Sequence, residues 1–289
     1  MTAPASQPGI LAAVPPCGLS LTFRLALEAD PRPALARLRE GFDPERGVIG
    51  FGEPLVRALG ATVPGLRVFP SLSGPACSVP STQAALWLLL RGEARGALFD
   101  AGERLKALLV PAFVLEDAMD TFLYDGGRDL TGYEDGTENP KDAAAIEAAL
   151  AADGASFVAV QRWVHDLAHF NAHSPAERDA MIGRRRADNK ELDDAPASAH
   201  VKRSAQESFE PPAFMLRRSM PWATAHEQGL EFIAFGHSPD AFEQVMRRMA
   251  GQEDGGGDAL FTFSRPLTGG YYWCPPVKAG RLDLSLILP

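Results

Sequence analysis

The sequence predicts an α+β fold of two ferredoxin-like halves, each a β-α-β-β-α-β unit with an antiparallel sheet. Three observations predict it. Strand-like and helical runs alternate in that order over residues 1–125, the order returns over residues 156–289, and a segment rich in Gly, Asp, Glu and Asn separates the two at residues 126–155. The repetition is one of architecture, since no fixed-period sequence repeat accompanies it. With 289 residues and 46% hydrophobic content, the chain can bury a large core without disulfides.

After a Pro-rich leader, residues 19–27 alternate as a strand, and Asp30-Pro31 opens a helix that runs to about residue 40. Residues 48–51 form a second short strand, and 84–90 a third, bounded by Arg91 and Gly92. A helix over 93–110 follows, then a strand over 112–123 whose spacing also suits a helix. The segment 126–155 is expected as a connecting loop. In the second half, 157–164 reads as a strong strand, 175–182 as a helix and 214–217 as a strand, while strands at 230–235 and 259–263 flank a helix at 239–249. A second polar stretch, 184–212, carries His200. Polar loops of this size on a rigid scaffold are where chemistry is expected.

Charge and cysteine usage exclude several classes of function. A net charge of −9 with no dominant basic patch argues against a nucleic-acid partner and for a small-molecule substrate. Three cysteines, far apart and without C-x-x-C spacing, fit a reducing compartment. The first residues, Met-Thr-Ala-Pro-Ala-Ser-Gln-Pro, lack the basic and apolar regions of a secretion signal, so a cytoplasmic location is expected. No run approaches the roughly 20 apolar residues that span a bilayer, so no membrane association is expected.

The most informative segment is Gly132-Tyr133-Glu134-Asp135-Gly136-Thr137-Glu138-Asn139-Pro140. Taken alone, Asp-Gly followed by Asn-Pro signals a surface turn in which Asp135 and Asn139 bond their own backbone. The segment also resembles the G-x-x-D-G signature of dye-decolorising peroxidases, with the T-x-N-P extension carried by members of that family. The resemblance extends from Gly9-Ile10 to Gly269-Gly270-Tyr271-Tyr272 and is closest to the B-type, cytosolic subfamily. It implies a haem peroxidase with haem b in the C-terminal half, reducing hydrogen peroxide and oxidising small organic donors (dyes, phenolics) by one-electron steps. It further implies a homo-oligomer. Packaging in an encapsulin shell through a C-terminal tail is not expected from the ending Leu286-Ile287-Leu288-Pro289.

Roles carry over residue by residue. The resemblance points to His200, in Ser198-Ala199-His200-Val201-Lys202-Arg203, as the axial ligand of the haem iron, a role suited to imidazole. Asp135 takes the place of the acid/base that moves peroxide's proton. Arg217, in Leu216-Arg217-Arg218-Ser219-Met220-Pro221, supplies fixed positive charge, with Ser219 as an accessory donor on the same strand face and Arg218 pointing away. Gly136 and Thr137 are expected along the haem, Arg184 against a propionate, and Leu230 or Phe232 on the porphyrin face. Surface arginines and ordinary core packing explain the last three equally well. Asp258 is the candidate to orient His200, with Thr262 where another carboxylate would have served. Trp163, Trp222, Trp273 and Tyr272 are either electron relays or core.

Other readings compete. His165, His169 and His173 stand four residues apart, and His165-Asp166-Leu167-Ala168-His169 echoes a zinc hydrolase motif if the segment is helical. A haem-binding protein for haem carriage or iron release would use His200 without needing Asp135 and Arg217 together. The run from Asp125 to Thr131 resembles a calcium loop but has Leu130 where that loop needs glycine. Gly255-Gly256-Gly257 reads as a turn.

Overall fold

The computed structural model describes residues 5–75 and 77–288; the expectations for leader residues 1–4 and for Pro289 lie outside the described residues. The first half lays down β1 (Cys17–Leu25), α1 (Arg32–Gly41), β2 (Gly47–Phe51), β3 (Leu86–Gly92), α2 (Arg95–Leu109) and β4 (Phe113–Phe122). Local chemistry starts α1: Asp30 accepts the Arg32 N–H at 3.1 Å, and a proline in the first turn forfeits no helical bond. Helix α2 buries Leu98, Gly102, Leu105 and Leu109, one stripe at helical spacing. The strands pair antiparallel in the order β4-β1-β3-β2. Residues 112–123, ambiguous in sequence, are a strand.

The second half contains α3 (Asp142–Ala149), β5 (Ser156–His165), α4 (Leu167–Ala172), α5 (Pro175–Ile182), α6 (His200–Arg203), β6 (Leu216–Arg217), β7 (Met220–Ala223), β8 (Gln228–Gly236), α7 (Asp240–Met249), β9 (Ser264–Pro266) and β10 (Gly270–Cys274). Its sheet order, β10-β5-β8-β6, repeats the connectivity of the first half, with β7 added to β8 and β9 to β5. One residue pair, Trp273 with Phe51, joins β10 to β2 and merges the two antiparallel sheets into one of ten strands. The merged sheet curls until its far strands meet, where Thr121 of β4 lies 3.5 Å from the sulfur of Met220 in β7.

Three expectations need correction. Residues 259–263 are not a strand: Ala259–Thr262 is a 3-10 turn, because Asp258 caps it by accepting the Leu260 N–H at 2.8 Å. The strands of this region are β9 and β10. The segment 126–155 is not all loop, since α3 lies within it and buries Ala148 and Ala149. The strand expected at 214–217 shrinks to the two residues of β6.

Period-two alternation then builds the site. On β8, Ile233 and Phe235 face inward against Val48, Trp87 and Leu89 of the first half, while Leu230, Phe232 and Ala234 face α7. On β5, Val158 and Val160 join the inner core, leaving Gln161, Trp163 and His165 on the α7 side. Helix α7 does not close completely over that face. Its buried stripe of Phe242, Val245, Met246 and Met249 forms the opposite wall of a cleft.

Candidate active site

The cleft between β5, β8 and α7 is concave and mostly apolar with a few convergent polar groups, as sites for small molecules and cofactors are. Leu230, Phe232, Phe242, Val245, Met246 and Met249 give it apolar walls, and Asp129, Asp135, His165, His200 and Arg217 converge on it.

His200 begins α6, and its Nδ1 lies 2.8 Å from Oδ2 of Asp258, whose side chain is 0% exposed. Asp258 thus orients the ring and caps the following turn, with one oxygen for each task. Thr262 is not a partner, because its hydroxyl donates to the Ala259 carbonyl at 2.7 Å. With Nδ1 engaged, the other ring nitrogen is left for the cleft. Burial draws the imidazole pKa down, but the charge and hydrogen bond of Asp258 outweigh it and the net displacement is upward.

Asp135 sits in a loop whose glycines have conformational reasons. Gly132 has φ of 86°, and a Cβ there would stand 2.4 Å from the Arg186 guanidinium. Gly136 has φ of 74°, and a Cβ would meet the Asn139 amide at 2.7 Å. Asp135 is accessible to solvent and lines both the cleft and a smaller side pocket. Burial pushes its pKa up, Arg217 opposes this, and Asp129 adds to it.

Asn139 does not bond only its own turn. Its carboxamide accepts the Arg217 N–H at 2.8 Å and donates to the Arg217 carbonyl at 3.0 Å, fixing β6 to the Asp135 loop. The Nε of Arg217 has no protein partner among the described residues. Arg218 points away, donating to the Leu11 carbonyl at 2.7 Å. Ser219 accepts the Ile233 N–H at 3.2 Å and lines a smaller side pocket shared with Asp135, Gly136, Arg217 and Leu230. Gly136, Thr137 and Arg184 stand at a second opening beside His200, where Glu138 and Glu191 already pair with Arg184. Trp163 lines the cleft, and its carbonyl accepts the Trp222 indole N–H at 3.0 Å. Trp273 and Tyr272 lie in core clusters away from the cleft wall.

The zinc arrangement does not form. His165 ends a strand, whereas His169 lies on α4 and His173 just beyond it. The His165 ring is bound by Ser264 Oγ at 2.6 Å and Asp129 Oδ1 at 3.1 Å. No group of three potential metal-binding side chains occurs among the described residues. Sequence reading missed Asp129, Ser264 and the placement of His165, although Gln161 and His165 on the β5 face otherwise formed by Phe157, Ala159 and Trp163 were a signal. It also missed the reach of Asn139, which nothing local announces.

A family model described as "Dyp-type peroxidase, C-terminal" matches residues 126–279, the region carrying the cleft. The dye-decolorizing peroxidase of Mycolicibacterium paratuberculosis is 32% identical over 73% of this chain. The chain belongs to the dye-decolorising peroxidase family. The match spans 63% of the length of that relative and 67% of the dye-decolorizing peroxidase of Mycobacterium tuberculosis, also 32% identical. Solved family structures overlay on nearly the whole chain. A dye-decolorizing protein from V. cholerae, 28% identical, gives a TM-score of 0.85 over 92% of this chain and 96% of its own. A variant of Rhodococcus jostii DypB described as in complex with heme, 28% identical, gives 0.85 over 92% and 94%.

Proposed function

We propose that this family member is a haem peroxidase that reduces hydrogen peroxide and oxidises small organic donors. The observation that carries the reading is the convergence on one apolar-walled cleft of a carboxylate-anchored imidazole, a carboxyl group and a guanidinium with an unpartnered Nε. The residues fit haem b. His200, with Nδ1 on Asp258, offers its second nitrogen to iron. Leu230 and Phe232 offer an apolar face. Thr137 and Arg184 stand at the polar opening, where propionates would compete with Glu138 and Glu191 for Arg184.

The bound haem would supply the redox-active iron for heterolysis of peroxide and one-electron oxidation of donors. Asp135 takes a proton from one peroxide oxygen and returns it to the other, a task helped by its upward-shifted pKa. Arg217 stabilises negative charge as the O–O bond breaks, and Asn139 fixes its backbone in place. Ser219, engaged as an acceptor by Ile233, keeps its hydroxyl hydrogen for a water or peroxide in the side pocket. The apolar walls limit water and so strengthen these charge interactions.

The reading includes a cytoplasmic homo-oligomer. The wide spacing of the three free cysteines supports a reducing compartment, and among the described residues no helix is long and apolar enough to cross a membrane. Sedimentation of the purified protein tests the oligomer. The test of function is a spectrum after expression with ample haem, followed by peroxide and a dye. A Soret band that disappears in His200→Ala, together with dye turnover, is expected. A chain with no Soret band overturns the haem reading, and haem without turnover leaves carriage instead of catalysis.

A further inference from the structure

Two fragments that seemed to belong to metal sites meet in the cleft instead. Asp129 begins the turn leading to Asp135, and His165 ends β5. Their side chains lie 3.1 Å apart, and the other ring nitrogen of His165 is 2.6 Å from Ser264 Oγ on β9. The second Asp129 oxygen accepts the Thr131 N–H at 2.8 Å and the Thr131 hydroxyl at 2.6 Å. The backbone of Asp129 closes the same turn, accepting from Gly132 at 2.8 Å and donating to Tyr133 at 2.9 Å. Every polar atom of this carboxylate is therefore occupied, in a turn six residues ahead of Asp135, and both aspartates line one cleft.

We propose that Asp129, fixed by His165 and Ser264, is a positioning residue for Asp135: it anchors the loop that carries Asp135 and sets a second carboxylate against it. The assignment deepens the peroxidase reading and rests on Asp135 acting there as acid/base. Two carboxyl groups in one confined site resist ionising together, so the better-bound one keeps its charge and the other holds its proton longer. The bonding decides which is which. Burial pushes Asp129 up, but the hydrogen bond and charge of His165 and both Thr131 bonds bring it below the usual aspartate range. Burial, the largest influence, pushes Asp135 up and Asp129 adds to it, while the charges of Arg217 and His200 and the Gly136 N–H oppose them, and it ends above that range. Arg128, which also borders Asp135 on the side-pocket face, is occupied by Glu134, Asp125 and the Gly132 carbonyl. Asp129 is thus the negative charge that bears on Asp135 from within its own loop.

The test is carboxyl carbon-13 NMR of the full chain labelled at aspartate and prepared without haem, so that its outcome does not depend on haem binding. The two resonances are assigned by their loss in Asp129→Asn and Asp135→Asn. In the wild type, Asp129 should remain ionised through the ordinary aspartate range while Asp135 titrates above it. Asp129→Asn should move the Asp135 midpoint to lower pH, and Asp129→Glu should restore it. In haem-loaded protein, the acidic limb of the peroxide reaction should move in the same direction. An Asp129 that titrates together with Asp135 or above it in the wild type overturns the proposal, and this measurement holds even if Asp129→Asn does not fold. An unmoved Asp135 midpoint in a folded Asp129→Asn overturns it equally. A chain that shows these titrations but binds no haem would sink the peroxidase reading alone.

Discussion

Arg217 and Asp135 face the same cleft with different electrostatic standing. Arg217 presents a guanidinium to the cleft, whereas burial raises the pKa of the Asp135 carboxyl and the charge of Asp129 adds to it. Arg217→Ala is therefore expected to slow the first reaction with peroxide by about 10²–10³-fold. Asp135→Ala should cost less at acidic than at alkaline pH, because the upward shift leaves more of the wild-type carboxyl protonated as pH falls. Stopped-flow mixing at pH 5 and pH 8 checks the ranking, and a larger loss in Asp135→Ala at pH 5 contradicts it. Asn139→Ala removes two hydrogen bonds to the Arg217 backbone and should destabilise the chain by about 1–3 kcal/mol. It should also slow the peroxide step while leaving the Soret band intact. That Asp135, His200 and Arg217 share one cleft was legible through the family resemblance, and the Asp258 contact through the need of an imidazole for an orienting partner. The Asn139 contact was not, since its partner lies 78 residues away and Asn-Pro alone spells a turn.

Among elements, legibility followed the strength of local periodicity. Helix α5 carries its own signals, a Ser174 cap with Glu177 completing a capping box and Gly183 closing it in the left-handed region, and its bounds agree with the sequence reading. Residues 259–263 misled because Leu260, Phe261 and Phe263 look strand-like, while the deciding feature, the Asp258 cap, depends on a side chain shared with His200. The Asp135 loop was picked out by its motif, but its shape rests on backbone conformations that sequence only hints at. Comparing two of its glycines separates the causes. Gly126 has φ of 72° with nothing within 4 Å of a Cβ, whereas Gly132 has φ of 86° and Arg186 in the way. Gly126→Ala should cost roughly 1 kcal/mol for the left-handed backbone alone. Gly132→Ala should cost more and should also displace Arg186 and Tyr133, whose hydroxyl holds Asp179 at 2.5 Å. Urea unfolding of both variants checks the order, and equal losses would show that the Arg186 contact contributes nothing.

Across the whole molecule, the sequence revealed two similar halves but not how they join, because the Trp273–Phe51 pairing and the curl of the sheet arise only when both halves are folded. Where their inner faces meet lies a charge that periodicity could not predict as buried. Glu231 of β8 is 4% exposed, pairs in register with Arg162 of β5, and reaches Ser20 and Trp87 of the first half. One of its oxygens has no partner among the described residues. Burial, the largest influence, raises its pKa from 4.5 to about 7, although Ser20, Arg162 and Trp87 pull it down. The sign of the linkage follows. The folded state holds this proton more tightly than the unfolded chain, so the resulting stability is fully present below pH 4.5 and is lost as pH rises through about 7. Across that window the loss amounts to about 3 kcal/mol. Glu231→Gln keeps the shape and cannot ionise. Its melting temperature relative to wild type should therefore climb by several degrees between pH 4.5 and pH 8, as the wild type loses stability that the glutamine variant, with no proton to release, keeps. Parallel melting curves for the two proteins across that range would instead mean that Glu231 ionises as readily in the folded state as in the unfolded one, and that the junction between the halves is open to water.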